Sequence, residues 1–443
     1  MPAAQKTVGF SKLSRAEKIE LITALTNDPV AAKGLFDSHL HPDRELQDRY
    51  EKFSENTLTN FYLPYGIAPN FLVNGRIYHL PMVTEESSVL AAAAHAARFW
   101  SERGGFKARV IGKEKKGQVH FLWTGGKDKL EVLFNAQKDL LLDELAPLTS
   151  GMHARGGGIT SFLLLDKTAL LPNYYQLDLS VNTADAMGAN FINSVLEQLA
   201  EAWTIRVNQA VQEGTLQGKL EVIMSILSNY TPECLVEAEA ETPVGELSQL
   251  DPGGNGESFA RRFLTAVRIA EEDPYRAVTH NKGIFNGIDA VVIATGNDFR
   301  AVEACGHAYA SRNGRYSSLS SASISDGKFR IGLRIPMAVG TVGGLTRLHP
   351  LAAKSLEILG FPNSDELMML AACAGLANNF SAVRSLITSG IQKGHMKMHL
   401  SNILLELGAS PEEQAAIASR FAGKTISRSE VAGFLERMRA DKK

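Results

Sequence analysis

Residues 273–310, DPYRAVTHNKGIFNGIDAVVIATGNDFRAVEACGHAYA, constrain this chain more than any other stretch. Ile288 to Ala294 is a short, mostly apolar, β-branched run of strand length, and Thr295-Gly296-Asn297-Asp298 interrupts it. A helical spacing then begins at Ala301, Val302, Cys305, Ala308 and Tyr309. The expectation is a strand, a polar loop and a helix. Just upstream, Asn281-Lys282-Gly283 and Asn286-Gly287 set turn formers around one lysine, which predicts Lys282 on constrained backbone and not on a helix face. Lys282 and Asp298 would then face one another across the strand, on loops of the kind where rigid scaffolds present chemical groups. The ordinary alternative is a solvated lysine and an aspartate that caps the next helix.

At 443 residues the chain exceeds one typical domain, and two or three are expected. A formal net charge of −2 argues against a surface that coats nucleic acid or a polybasic membrane anchor, which leaves small molecules or further copies of the chain as partners. Cys234, Cys305 and Cys373 are odd in number and lack metal-ligand spacing, as suits a reducing compartment. No run is read as the ~20 apolar residues of a spanning helix, and residues 1–30 lack the apolar core of a signal peptide. A cytoplasmic protein is expected.

Taken in order, Ser14 and Glu17 have capping-box spacing ahead of a helix over 14–25. Residues 55–86 alternate strand-like runs with turns, and Asn74-Gly75 is a strong hairpin signal. The second strand delivers Thr84-Glu85-Glu86 to a junction where Ser87-Ser88 opens an alanine-rich helix. Acids there suit a helix N-terminus whatever else they do. From residue 104 a charged hairpin with a Lys-Lys-Gly turn is expected. A helix over 129–146, strands at ITSFLLL and YYQLDLSVN, a helix at FINSVLEQLAEAW and a strand at KLEVIMSIL follow. That order describes a compact α+β unit interrupting a larger one. Between its last two strands lies DAMGAN, in which Asp185 can cap the following helix while Gly188 and Ala189 leave backbone N–H groups open to an anion such as a pyrophosphate. There is no G-x-G-x-x-G, which argues against an ordinary Rossmann domain. Residues 241–257 read as a polar linker before the helix SFARRFLTAVRIAEED, and 328–345 as a strand entering a glycine-rich loop whose ordinary purpose is tight turns beside packed backbone. Helices are expected at Ser364 to Ala377 and Phe380 to Thr388, with Asn378-Asn379 between them. His395 and His399 have i, i+4 spacing, but without a glutamate between them or a third ligand no metal is assigned.

DPYRAVTHNKGIFNGI followed by ATGND, together with ENTLTNFYLPYGIAPNFLVNG, PMVTEESSVLAAA, DAMGAN and GIQKGHM, resembles the class II, soluble prokaryotic-type form of 3-hydroxy-3-methylglutaryl-coenzyme A reductase. The resemblance implies an α+β fold: a large mixed substrate domain (1–112 and 225–388), an inserted ferredoxin-like, non-Rossmann dinucleotide-binding domain (113–224) and a C-terminal helical flap (389–443). It implies Glu86, Lys282, Asp298 and His395 as catalytic groups, with His395 the acid toward a departing thiolate. Ser88, Asn229, Arg276, Asn286, Asn378 and Asn379 would contact substrate, and Asp185, Met187, Gly188, Ala189 and Asn190 the cofactor, NADPH or NADH. The implied reaction is reduction of the coenzyme A thioester to mevalonate by a homodimer or a higher homo-oligomer of dimers, with no nucleic acid and no membrane. A non-redox acyl-coenzyme A lyase or thioesterase on the same scaffold, and a catalytically silent binding protein, are the rival readings.

Overall fold

The computed structural model describes residues 6–388, 390, 400, 403–421 and 427–440. Three short helices lead in, α1 (Arg15–Thr23), α2 (Pro29–Ser38) and α3 (Arg44–Glu51), capped by Ser14, Asp28 and Asp43; Ser14 and Glu17 form the expected capping box. Strands β1 (Tyr65–Val73) and β2 (Arg76–Val83) then pair antiparallel around Asn74-Gly75, whose φ values of 49° and 84° are those a tight hairpin turn requires. Helix α4 (Val89–Ser101) follows and buries Ala93, Ala96, Ala97 and Trp100.

Strand β3 (Lys107–Val110) does not form the expected hairpin with β4 (Glu114–Trp123), because the two belong to different sheets. Lys115-Lys116-Gly117 is strand interior and not a turn: a Cβ on Gly117 would stand 2.6 Å from Leu196 Cδ1, so the glycine admits a helix against the sheet. After β4 come α5 (Lys127–His153), β5 (Gly158–Asp166), β6 (Tyr174–Asn182), α6 (Ala189–Gln212) and β7 (Leu220–Ser228). Their antiparallel order β5-β6-β4-β7 is the split β-α-β, ferredoxin-like arrangement, with its own core of Phe121, Trp123, Leu177, Leu196 and Trp203.

The remainder builds the larger core. Strand β8 (Leu235–Pro243) occupies the start of the presumed linker, its alternation of buried Val236, Ala238 and Ala240 with glutamates marking a one-sided strand. Helices α7 (Gly256–Glu272), α8 (Pro274–Ala294) and α9 (Phe299–Ala310) precede β9 (Ser320–Ser325) and β10 (Lys328–Pro336), which complete the sheet β3-β8-β10-β9. Short α10 (Leu345–Leu348) and α11 (Pro350–Ile358), the long α12 (Ser364–Ile387), and α13 (Pro411–Arg420) and α14 (Arg428–Ala440) follow.

Two expectations fail together, for one reason. Ile288–Ala294 is not a strand, and Asn378-Asn379 is not an inter-helix break: α8 is a single helix of 21 residues and α12 one of 24. Both run through the interior, so apolar residues surround them and the amphipathic period that marks a surface helix is absent. α12 even has the length and composition of a membrane span, which the sequence reading denied to every stretch, but 83% of that window is buried inside the protein. Glycine within a helix costs about 1 kcal/mol relative to alanine. Here it permits contact: a Cβ on Gly287 would lie 2.3 Å from Ala374 O, and one on Gly375 would lie 2.7 Å from Ile288 Cγ1.

A polar network ties the same helices to β9. His280, 1% exposed, bonds Ser320 Oγ through Nε2 at 2.6 Å, and Ser320 Oγ donates to Asn379 Oδ1 at 3.0 Å. Its Nδ1 is buried without a partner among the described residues, while Asn379 Nδ2 lies 3.1 Å from Nε2. Burial, aided by Arg276, pushes the His280 pKa down to about 3.

Two stability predictions follow from this packing. Gly287→Ala forces a methyl into a backbone carbonyl and should cost about 1–3 kcal/mol, read as a lowered urea midpoint; an unchanged midpoint contradicts the close helix crossing. Unfolded chains protonate His280 near pH 6.5, the folded protein only near pH 3. Stability should therefore drop as pH falls through that interval, by up to about 1.4 kcal/mol per pH unit from this residue. His280→Gln should flatten the slope in urea titrations at successive pH values by up to one proton.

Candidate active site

The β2–α4 junction carries Glu86. Its N–H donates to Thr84 Oγ1 at 3.1 Å, which shapes the turn, and Ser88 enters α4 at φ 75° with no side-chain cap, so a non-glycine residue holds left-handed backbone while its hydroxyl stays uncommitted to the helix. Opposite it runs α8. Lys282 projects from the middle of that helix and its Nζ donates to the Glu86 carboxylate. Asn286, one turn further on, shares the lysine's face, and Asp289 follows. Burial raises the Asp289 pKa well above the usual carboxylate range, and the negative charges of Glu303 and Glu85 add to the effect. The lysine is thus held by a rigid helix and not, as the sequence suggested, by turns.

Asp298 is not brought to Lys282 within the chain. It caps α9, its Oδ1 accepting from the N–H groups of Arg300 and Ala301 at 3.1 and 3.2 Å, and its recorded ion pair is with Arg300 at 3.5 Å. Those contacts leave Oδ2 without a partner among the described residues. Lys282 lies twelve residues before Ala294 at the end of α8, an axial distance of roughly 18 Å at 1.5 Å per residue. Asp298 instead borders a cleft of about 1120 Å³ lined by Tyr50, Phe53, Phe61, Val83, Phe299 and His349. Arg276 is half-buried on the first turns of α8 with no ion-pair partner among the described residues, and burial lowers its pKa. Asn378 and Asn379 are 4% and 3% exposed: Asn378 Nδ2 donates to Ala374 O, and Asn379 belongs to the His280 network. The structure puts both in the core and not on an open surface. His395 lies outside the described residues.

The DAMGAN segment forms the turn from β6 into α6. Asp185 does not cap α6; its Oδ1 accepts from Ser364 N, the first N–H of α12, at 2.9 Å, beside the Asn363 cap of that helix. The residue before α6 is Gly188, at φ 91° and without a side-chain cap, and a Cβ there would stand 2.4 Å from Thr183 Cγ2. Behind the turn, Gly340 donates to Asn297 Oδ1 at 2.8 Å, Thr341 N donates to Asp185 O at 2.8 Å, and a Cβ on Gly340 would come within 2.3 Å of Met187 N. The glycine-rich loop therefore supports the DAMGAN turn by close backbone packing. Beneath it lies Lys115, 5% exposed, its Nζ donating to Thr183 Oγ1 at 2.5 Å, Ala186 O at 2.8 Å and Met187 O at 2.9 Å. Reading KKG as a turn missed this residue; the strict alternation of β4 was the signal for it. Met187, Ala189, Asn229 and Lys115 line one small cavity, which puts Asn229 beside the turn. An uncapped, glycine-opened helix start backed by a buried cation fits a dinucleotide pyrophosphate.

Comparison with known proteins bears on the same residues. The family model described as hydroxymethylglutaryl-coenzyme A reductase matches residues 14–400. The 3-hydroxy-3-methylglutaryl-coenzyme A reductase of Archaeoglobus fulgidus is 38% identical over 411 residues, 91% of this chain and 88% of that protein. A solved reductase of this name from Streptococcus pneumoniae superposes with a TM-score of 0.71 at 35% identity, covering 97% of this chain and 99% of that one. A class II structure from the same organism, bound to NADPH in open conformations, gives 0.70 at 35% identity over 86% and 99%. The hairpin, the ferredoxin-like insert and the Glu86–Lys282 pair thus sit in a chain that belongs to the hydroxymethylglutaryl-coenzyme A reductase family, in its class II form.

Proposed function

We propose that the chain reduces 3-hydroxy-3-methylglutaryl-coenzyme A to mevalonate and coenzyme A at the Glu86–Lys282 pair, using two NADPH or NADH. The observation that carries this reading is the lysine held by a buried helix with its ammonium against a carboxylate. Each bound dinucleotide would supply one hydride, and Met187, Gly188, Ala189 and Asn190 would hold it, with Asp185 bracing the turn. Lys282 aims its ammonium at the oxygen that becomes negative when hydride reaches the thioester carbon, a stabilisation that grows once water is excluded. The carbon–sulfur bond then breaks and coenzyme A leaves as a thiolate, for which His395 is the proton donor on the strength of GIQKGHM. Glu86, through its bond to Lys282, delivers the second proton, to the alkoxide formed from the aldehyde. Ser88, Asn229, Arg276 and Asn286 position the substrate; Arg276 suits its anionic groups because no carboxylate of the described residues neutralises it.

The site reaches completion in a homodimer. About 18 Å of helix separates Lys282 from Asp298 in one chain, whereas a copy related by a two-fold axis can lay its Asp298 against the first copy's lysine. Phe61 at 89% and Tyr62 at 57% exposure, beside the cleft that holds Asp298, supply an apolar surface for such a partner. The larger domain is assigned to 1–112 and 225–388, the dinucleotide domain to 113–224 and the flap to 389–443, in an enzyme acting in the cytoplasm.

Lys282→Ala should lower kcat by roughly a hundredfold or more with an unchanged circular dichroism spectrum, measured by thioester-dependent loss of reduced-nicotinamide absorbance; retained turnover removes the mechanism. Mixed and re-equilibrated Lys282→Ala and Asp298→Ala chains should recover about a quarter of wild-type activity, since half the dimers then hold one intact site. No recovery means that the two residues act from the same subunit.

A further inference from the structure

Lys115 carries a charge for which the described protein supplies no anion. It lies on the buried face of β4, and all three of its donors reach neutral oxygens: the Thr183 hydroxyl and the carbonyls of Ala186 and Met187. No carboxylate of the described residues stands within ion-pair distance of it, whereas its neighbours Lys113 and Lys116 are paired with Asp365 and Asp178. Burying a cation without a counter-charge is costly, so an anion arriving with a ligand is the natural complement. The groups that bear on it electrostatically are Cys234, whose thiol burial pushes up to about 11 and so keeps neutral, and Lys113.

We propose that Lys115 is a positioning residue for the dinucleotide: an internal ammonium that fixes the DAMGAN turn by two of its carbonyls and finds its counter-anion in the pyrophosphate bound on that turn. The inference rests on the proposed placement of the dinucleotide. Because C=O and the following N–H point oppositely across a trans peptide, aiming the Met187 carbonyl at the lysine turns the Gly188 N–H to the opposite side of that peptide. One side chain thereby sets both the charge and the orientation of the cradle. Asn229 lines the same small cavity as Lys115, Met187 and Ala189, but none of the three Lys115 hydrogen bonds reaches it.

Burial holds the Lys115 pKa down at about 8. A bound anion favours the ammonium, so dinucleotide affinity should fall as pH rises through 8, with proton uptake on binding above it. The test is calorimetric binding of NADPH to the full chain on either side of pH 8, in buffers of different ionisation enthalpy. Lys115→Met, a neutral side chain of similar length, should raise the NADPH Kd about tenfold or more below pH 8, abolish the pH dependence and leave the Kd for 3-hydroxy-3-methylglutaryl-coenzyme A within about twofold. Lys115→Arg should retain affinity and show no titration. An Lys115→Met protein with wild-type affinity and the wild-type pH slope overturns the proposal, as does one that loses NADPH and substrate binding equally. Gly188→Val serves as the reference: if it weakens NADPH binding while Lys115→Met does not, only the role of Lys115 fails. If Gly188→Val binds NADPH as wild type does, the placement of the dinucleotide fails and takes this proposal with it.

Discussion

The active-site half of the molecule depends on the backbone contact between α8 and α12. Gly287 and Gly375 leave no β-carbon at the crossing, so the helices approach until Ala374 O and the Ile288 side chain occupy the space a methyl would need. That approach fixes the rotation of α8 about its axis. His280, Asn281, Ile284 and Ile288 turn inward, and Lys282 and Asn286 consequently turn toward the β2–α4 junction. Asn281, wholly buried, secures the setting: its Nδ2 donates to Ser317 O at 2.9 Å and its Oδ1 accepts from Leu319 N at 3.0 Å. The helix thus fixes where the lysine backbone stands, while the side chain itself is exposed and is held at the junction by its bond to Glu86.

The same helix connects the two halves of the chemistry. α8 ends at Ala294, and three residues later Asn297 accepts a hydrogen bond from Gly340. Gly340 and Thr341 pack against Asp185 and Met187, and Asp185 in turn accepts the first N–H of α12. The helix pair that holds Lys282 therefore also braces the DAMGAN turn, through backbone contacts that tolerate no larger residue at position 340. Family membership speaks for a reductase and not for a lyase or thioesterase on this scaffold. The brace links the two hydrophobic cores, so the DAMGAN turn and the Lys282 helix are held at a fixed separation.

Asn74-Gly75, the Ser14–Glu17 capping box and the β-α-β-β-α-β order of the insert were readable from sequence because each is governed by contacts between residues close together in the chain. The residue types at the site were readable in the same way: Glu86 at a strand end, Lys282 and Asp298 in one dense segment, the small residues of DAMGAN. What escaped was set by distant packing. Ile288–Ala294 looks like a strand because a helix stretch buried on all sides shows no polar face, and Asn378-Asn379 looks like a break although Asn378 bonds back to Ala374 within α12 and Asn379 bonds across to His280 and Ser320. Lys115 looks like a turn residue until β4 is seen to bury it.

The sequence by itself determined the caps and the Asn-Gly hairpin, the family and the inventory of ionisable groups, since these depend on nearest neighbours and on residue identity. Only the tertiary structure decided which groups meet: it gave Lys282 to Glu86, set Asp298 at the far end of α8 and put Lys115 beneath the DAMGAN turn. Burial and partnership are properties of segments tens to hundreds of residues apart, and no local pattern encodes how closely two helices approach or which charge lies between them.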